Sequence, residues 1–295
     1  MPAKIPKEDA VRFKIPTPSA IKELSDDIDK RIALLPSRTI NEYGYDPWGY
    51  SPTWSKPYVL AAAIFYKYWF RVQVKGAENL LPGRMLVIPN HAGNTFAWDG
   101  AMTGMATFME GRPPRALRGM GEFFLPTIPW FNVFMHRMGS VVGRPENARR
   151  MLEMEEALMV FPEGHRGFVK TWAKRYQLQR FGLGFMRLAL ETDTPIVPVA
   201  IVGSEEQSPG IATSKLLARL TQSPAFPLTV TFPWLGPLGM IPFPAKFHIH
   251  FGEPMRFRGD PDADDEKIEA KVGQVKAAIA GMLMEILKKR KSVWL

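Results

Sequence analysis

The 295-residue sequence contains no cysteine, which excludes a disulfide framework, a thiolate zinc site and an acyl-cysteine intermediate. It also lacks a run that could cross a bilayer as a helix. The longest uncharged stretch, residues 220–245, contains six prolines, and each interior proline costs a helix about 3 kcal/mol. Residues 1–18 are charged throughout and have no apolar core, so a secretory signal peptide is not expected. The chain is therefore predicted to be soluble or monotopic.

Several catalytic signatures are missing as well. The sequence has no Gly-x-Ser-x-Gly elbow, no P-loop and no dinucleotide-binding glycine pattern, so a serine nucleophile and a bound nucleotide cofactor are not expected. We expect neither a metal nor an organic cofactor. Acidic residues are in deficit: 38 Lys and Arg stand against 29 Asp and Glu, which leaves a net charge of +9. This balance favours an anionic partner, whether nucleic acid, a phospholipid surface or a phosphorylated substrate.

From residue 71 onward, short β-type runs alternate with helical ones. We predict strands at 72–74, 85–89, 116–119, 140–142, 158–161, 196–202 and 247–251, and helices at 99–109, 146–156, 182–192 and 213–220. This alternation implies a single α/β domain with a mostly parallel central sheet flanked by helices. In such sheets the chemistry usually lies in the loops at the carboxyl ends of the strands.

Helical segments are predicted on both sides of this pattern. Residues 1–56 form an N-terminal arm with an amphipathic helix over 19–35, residues 57–258 the α/β domain, and residues 259–295 a C-terminal amphipathic helix. The last helix ends in the basic run Lys288–Lys291, which either complements the helix dipole or contacts anionic lipid. Residues 226–243 are uncharged, aromatic and rich in proline. They either pack into the core or, with residues 58–70, line an acyl-chain route or enter a membrane interface.

Two short segments carry the candidate chemistry. In the first, His91 follows a predicted strand and Asp99 stands where the next helix begins. A carboxylate on one ring nitrogen of a histidine makes the other nitrogen a general base. In the second, Phe-Pro-Glu-Gly-His-Arg, a strand runs into a turn that offers Glu163 and Arg166. A guanidinium at a strand end suits a phosphate or carboxylate.

Four segments together resemble a known family. Asn-His…Asp at 90–99, Gly-x-x-x-x-Arg ending at Arg144, Phe-Pro-Glu-Gly-x-Arg at 161–166 and Pro-Ile-Val-Pro-Val from residue 195 look like the motifs of the lysophospholipid acyltransferase superfamily, in the same order. The 1-acylglycerol-3-phosphate acyltransferases are its best-known members. The resemblance covers roughly residues 71–255 and makes 57–258 an acyltransferase domain.

The resemblance implies a role for each matching residue. His91 matches the base that deprotonates the acceptor hydroxyl, and Asp99 matches the carboxylate that orients it. Arg144 matches the arginine of the second motif, and Glu163, Gly164 and Arg166 match the third, where the family binds the glycerol phosphate of the acceptor. Arg118 is predicted to be a further substrate-binding residue. The implied reaction moves a fatty acyl group from acyl-CoA or acyl carrier protein to a lysophospholipid, without a covalent enzyme intermediate.

This sequence departs from the family in two places. Seven residues separate His91 from Asp99 where the family usually has four. Three extra residues are nearly one helical turn, so we expect Asp99 to reach His91 if the loop bulges, with Asn94 as an alternative partner. The third motif has His165 and Gly167 where the family usually has Thr and Ser.

Three functions therefore stay open. The first is an acyltransferase that acts on lysophosphatidic acid in phospholipid biosynthesis. The second is an acyltransferase with another acceptor, such as another lysophospholipid, a diacylglycerol or an acylated amino acid. The third is an inactive lipid-binding protein. We expect a peripheral or monotopic position on the cytoplasmic face of a membrane, and no nucleic-acid partner.

Overall fold

A computed structural model describes residues 15–36 and 40–294. Most of the predicted N-terminal arm before its helix, residues 1–14, lies outside the described residues, as do residues 37–39 and Leu295. The strands are β1 (Gln73–Lys75), β2 (Met85–Pro89), β3 (Arg118–Gly121), β4 (Val141–Val142), β5 (Ala157–Met159), β6 (Ile196–Val202), β7 (Gly210–Thr213), β8 (Pro227–Thr229) and β9 (His248–Phe251). The helices are α1 (Pro18–Ala33), α2 (Pro52–Ile64), α3 (Trp98–Glu110), α4 (Phe131–Arg137), α5 (Pro145–Glu153), α6 (His165–Phe168), α7 (Gly184–Glu191), α8 (Lys215–Leu220) and α9 (Asp265–Lys289).

The central sheet has seven strands in the order β1-β9-β6-β2-β5-β3-β4. All neighbouring pairs are parallel except β6 and β9, which run antiparallel. The predicted mostly parallel α/β sheet is therefore confirmed. The carboxyl ends of β2, β3, β4, β5 and β6 meet at one edge, which we call the carboxyl edge. The loops that leave these strands carry the residues singled out in the sequence.

Helices cover both faces of the sheet, because the central strands are apolar on both sides. Met85 and Val87 of β2 pack into the core formed with α1, α2 and α3. Leu86 and Ile88 point the other way, into the core formed with α5, α7 and α9. Burial of β2 and β6 is complete along their length, as their uninterrupted apolar sequences predict.

The terminal helices belong to the same cores. In α1, which Thr17 caps, Leu24 and Ile28 are buried. The buried stripe of α9 packs on the second face through Ile268, Val272, Val275, Ile279 and Leu283. The domain boundary predicted between residues 56 and 57 falls inside α2, because Ser51 caps a helix that starts at Pro52 and tolerates Pro57.

Some elements differ from the sequence prediction. The predicted helix at 213–220 starts only at Lys215, and the residues before it form β7, which pairs with β8 in a separate two-stranded sheet. Helix α4 was not predicted at all. Within the part of the chain that the structure describes, no helix is both long enough and apolar enough to cross a membrane.

Candidate active site

His91 and Asp99 meet at the carboxyl edge. His91 lies in the loop that leaves β2, and Asp99 lies in the first turn of α3, so that His91 Nδ1 is 2.7 Å from Asp99 Oδ2. Backbone N–H groups also donate to both carboxylate oxygens, from Ala92 to Oδ2 at 2.7 Å and from Gly100 to Oδ1 at 2.8 Å. Because a carboxylate only accepts, this contact places a proton on Nδ1, and the tautomer with that proton has its lone pair on Nε2. The expected contact between the two residues is present.

The three extra residues between His91 and Asp99 are absorbed by a turn. Asn94 adopts a left-handed conformation with φ of 58°, and its backbone N–H donates to the Phe168 carbonyl at 3.0 Å. Its side-chain amide donates to the carbonyls of Ser208 and Lys170. Asn94 is therefore bonded to neighbouring loops, and the contact with the imidazole is made by Asp99.

Aromatic rings hold the imidazole in place. The ring of Phe161 stacks on His91 with centroids 3.8 Å apart, and the ring of Phe168 lies 5.2 Å away on a tilted plane. The histidine side chain is 11% exposed. It is thus largely shielded from water and retains a small accessible surface.

Glu163 does not face a substrate, in contrast to the role implied by the resemblance. Its side chain is buried, and Oε1 accepts the backbone N–H of His91 at 2.8 Å. Oε2 accepts the backbone N–H of Gln179 at 2.7 Å. The carboxylate thus links the backbone of the His91 loop to that of Gln179, which makes Glu163 a positioning residue in this structure.

The two glycines of the third motif are required by geometry. Gly164 has φ of +54° and ψ of −149°, a conformation essentially limited to glycine. At Gly167, an added Cβ would lie 2.6 Å from the Cβ of Glu163 and 2.9 Å from the Cβ of His91. The glycine at a position where the family usually has Ser therefore lets α6 lie directly against the candidate base.

Arg144 and Arg166 remain available to an anion. Arg144 follows β4 and occupies the N-cap position of α5, and Arg166 lies in α6 beyond β5. Both are exposed. Among the described residues, neither guanidinium forms an ion pair, and the Arg144 guanidinium lies 6.0 Å from the ring of Phe123. The two arginines thus bring positive charge to the same edge as His91.

Arg118 is placed differently from the prediction. Its side chain is 1% exposed and forms ion pairs with Asp46 and with Glu156, the latter at 2.7 Å. Burial lowers the pKa of this guanidinium, but the hydrogen bonds and charges of Glu156 and Asp46 outweigh that effect and raise it. Because the side chain is enclosed with two carboxylates, it is not accessible to a substrate in this structure.

A buried charged cluster that the sequence analysis missed lies behind the site. Lys170 Nζ lies 2.8 Å from Glu205 Oε1 and 3.8 Å from Glu163 Oε2. Burial raises the pKa of Glu205, and the neighbouring Lys170 opposes the shift. Glu205 in turn accepts the backbone N–H of Tyr176. The available sequence signal was the pair of acidic residues that follows the apolar strand β6 after two intervening residues.

The cluster continues to the last helix. The Tyr176 hydroxyl donates to Glu206, and Arg290 at the end of α9 lies 2.7 Å from the same carboxylate. Burial and the charge of Glu206 raise the pKa of Tyr176 well above its usual value, so the phenol stays protonated. The His91 loop is thus connected through Glu163, Lys170 and Glu205 to the C-terminal helix.

The fold is similar to that of a solved structure. The α/β fold is that of a PlsC-type acyltransferase: the crystal structure of the 1-acyl-sn-glycerophosphate (LPA) acyltransferase PlsC from Thermotoga maritima superposes with a TM-score of 0.52 at 17% identity, covering 93% of this chain and 83% of that one.

The sequence comparisons agree with this likeness. A family model described as Acyltransferase matches residues 71–202, and this segment includes the four motifs. Uncharacterized proteins of Mycobacterium leprae and Mycobacterium tuberculosis are both 36% identical, over 96% and 94% of this chain and 78% and 80% of their own length. A probable 1-acyl-sn-glycerol-3-phosphate acyltransferase of Mycoplasma pneumoniae is 28% identical over 59% of this chain and 66% of its own length.

Proposed function

We propose that the protein transfers a fatty acyl group from acyl-CoA or acyl carrier protein to the free glycerol hydroxyl of a lysophospholipid, with lysophosphatidic acid as the acceptor. The observation that carries this proposal is the 2.7 Å contact between His91 Nδ1 and Asp99 Oδ2. It leaves Nε2 as a proton acceptor at the edge of the sheet that also carries Arg144 and Arg166.

In the proposed step, His91 Nε2 takes the proton of the acceptor hydroxyl as the oxygen attacks the thioester carbonyl. The new C–O ester bond forms and the C–S bond breaks. The departing thiolate then takes the proton from Nε2, which returns His91 to its neutral state. Asp99 stabilises the transient imidazolium through Nδ1, and the loop contacts with Glu163 and Phe161 hold the ring in position.

The proposed acceptor follows from charge. A phosphomonoester brings about two negative charges, and a guanidinium binds it through charge-assisted hydrogen bonds. Arg144 and Arg166 are exposed at the carboxyl edge and are not neutralised by a carboxylate of the described residues. An acceptor without this phosphate would not form these hydrogen bonds.

The full-length protein should convert lysophosphatidic acid and an acyl-CoA or acyl carrier protein into phosphatidic acid. The test offers both donor types with several chain lengths, together with lysophosphatidic acid, other lysophospholipids, diacylglycerol and an acylated amino acid, and identifies products by mass spectrometry. Acylation of a different acceptor alone would contradict the proposed substrate and favour the second function considered above. Binding of lipid without any product would reject the enzymatic proposal.

Replacing Arg144 or Arg166 with alanine should raise KM for lysophosphatidic acid by roughly 10- to 100-fold, because each charge-assisted hydrogen bond to a phosphate contributes about 1.5–3 kcal/mol. KM for the acyl donor should change little. Arg256→Ala is a matched control, since this exposed arginine follows Met255, which pairs with Ile196 at the opposite end of β6. Equal effects of all three substitutions would show that only overall charge matters.

We also propose that the protein works at a membrane surface, on the cytoplasmic face, since both the acceptor and the product of the proposed reaction are lipids. The exposed apolar side chains described below support a peripheral position.

A further inference from the structure

A long excursion of the chain starts and ends at the carboxyl edge. Strand β9 runs antiparallel to β6, and its first residue, His248, pairs with Val202, the last residue of β6. The intervening residues 203–247 therefore leave the sheet and return to it on the side of His91. They form β7, α8 and β8, and all of them lie outside the segment that matches the family model.

The start of this excursion is hydrogen-bonded to the His91 loop. The side-chain amide of Gln207 donates to the carbonyl of Gly93 at 2.7 Å, and that of Asn94 donates to the carbonyl of Ser208 at 2.8 Å. The other end is held as well, since the backbone N–H of Phe243 donates to the carbonyl of Gln207 at 2.7 Å. The orientation of the excursion is thus tied to the orientation of the site.

The outer part of the excursion exposes large apolar side chains. The following residues, which we call the docking face, are each more than half exposed: Ile211, Leu216, Leu220, Trp234, Leu235 and Leu238. They belong to one unit, because β7 pairs with β8 and the start of α8 is bonded to Phe226 ahead of β8. The indole N–H of Trp234 already donates to the carbonyl of Thr229 at 2.9 Å, so its exposed ring surface is apolar. Several large apolar side chains exposed in one such unit are typical of a binding surface.

The charges of this region indicate what kind of surface the docking face binds. Residues 207–252 contain no Asp or Glu, whereas Lys215 and Arg219 lie in α8 between the apolar residues of the docking face. Apolar side chains interspersed with basic ones and without acidic ones complement an anionic lipid surface.

Apolar surface also lies on the other side of His91. In the sheet, β6 and β3 lie on opposite sides of β2, and Phe123 is exposed just after β3, beside Arg144. A planar lipid surface could therefore contact both sides of the carboxyl edge while His91 and the two exposed arginines lie between.

We propose that the docking face binds an anionic lipid bilayer and turns the carboxyl edge of the sheet toward it, so that a lipid acceptor reaches His91 directly from the membrane. This inference rests on the proposed function for the identity of the acceptor, but the lipid contact itself is independent of the reaction.

The test measures co-flotation of the full-length protein with vesicles of phosphatidylcholine, with and without phosphatidylglycerol. The double substitution Trp234→Ser and Leu238→Ser should weaken binding to anionic vesicles by about tenfold or more, because each side chain loses its burial in the interface. Lys215→Gln with Arg219→Gln should remove the preference for anionic vesicles and leave weak binding to neutral ones.

Met154→Ser is the matched control. Met154 is 51% exposed, but it precedes β5 and so lies at the opposite edge of the sheet. Its substitution should leave vesicle binding unchanged. Unchanged binding of the Trp234 and Leu238 variant, with an unchanged melting temperature, would overturn the proposal. So would a change of oligomeric state in that variant without a change in vesicle binding, because a second copy would then cover this face.

A water-soluble short-chain lysophosphatidic acid separates this inference from the proposed function. Acylation of this acceptor in solution should be the same for the docking-face variant and the unmodified protein, because the site itself is intact. If no acceptor is acylated while vesicle binding still depends on Trp234 and Leu238, the proposed reaction fails and the docking face stands. If the docking-face variant acylates vesicle-borne and soluble acceptors as well as the unmodified protein does, the proposed role of the docking face is rejected and the proposed reaction stands.

Discussion

Asp99→Asn should lower kcat for acyl transfer by about 10²–10⁴-fold, the range expected for the loss of general-base catalysis. The carboxylate accepts the Nδ1 proton of His91 and two backbone N–H groups. An asparagine presents one oxygen and one N–H₂ group, so at least one of these N–H groups loses its acceptor. It is also neutral, so it no longer stabilises the imidazolium that forms when Nε2 takes the proton of the acceptor.

The measurement compares kcat and KM of Asp99→Asn and His91→Gln with those of the unmodified protein. Both variants should lose kcat to a similar extent while KM for lysophosphatidic acid stays within a few-fold. Because Asp99 also anchors the start of α3, melting temperatures are needed to separate misfolding from lost catalysis. Full activity of the folded His91→Gln variant would show that another group is the base.

The sequence predicts which residues lie at the carboxyl edge, because it predicts the strands that these residues follow. Strands β2 and β6 have the bounds that were predicted, since each is an uninterrupted apolar run bounded by a proline or glycine turn. Parallel strands run in the same direction, so the residues that follow β2, β4 and β5 must lie at one edge of the sheet. This is why His91, Arg144 and Arg166 lie at the same edge although no local pattern links them.

The contacts that hold the base could not be predicted in this way. Glu163 bonds to His91 across 72 positions of sequence, and Asn90 bonds to Ile201 across 111. Whether a carboxylate faces a substrate or a backbone N–H depends on the relative positions of two loops, and the sequence periodicity carries no information on that. The same limit applies to Lys170, whose partners come from two different loops beyond the strands.

Arg118 shows how a motif can suggest the wrong role for a charged residue. It stands at the start of β3, near the residues of the second motif, and an arginine there was assigned to the acceptor. In the structure, the alternation of side chains along β3 turns it inward, toward Asp46 in the loop before α2 and Glu156 just before β5. Both partners lie far from Arg118 in sequence, and their acidic character is ordinary for loop residues.

Arg118→Met should therefore lower stability and leave the site chemistry intact. Removing one partner of a buried ion pair typically costs about 3–5 kcal/mol, because the remaining charges lose their compensation. In a domain of this size the melting temperature should fall by on the order of 10 °C. Two carboxylates would remain in an environment where Asp46 is 1% exposed and Glu156 is 11% exposed.

Neutralising the orphaned acids provides the internal test of this argument. Arg118→Met combined with Asp46→Asn and Glu156→Gln should recover much of the lost melting temperature, since no buried charge is left unpaired. Arg144→Met is the matched control, because that arginine is exposed, and it should change the melting temperature little while raising KM for lysophosphatidic acid. If Arg118→Met instead melted normally and raised KM for the acceptor, Arg118 would bind the substrate after all, and the side chain would have to leave its buried carboxylates when substrate arrives.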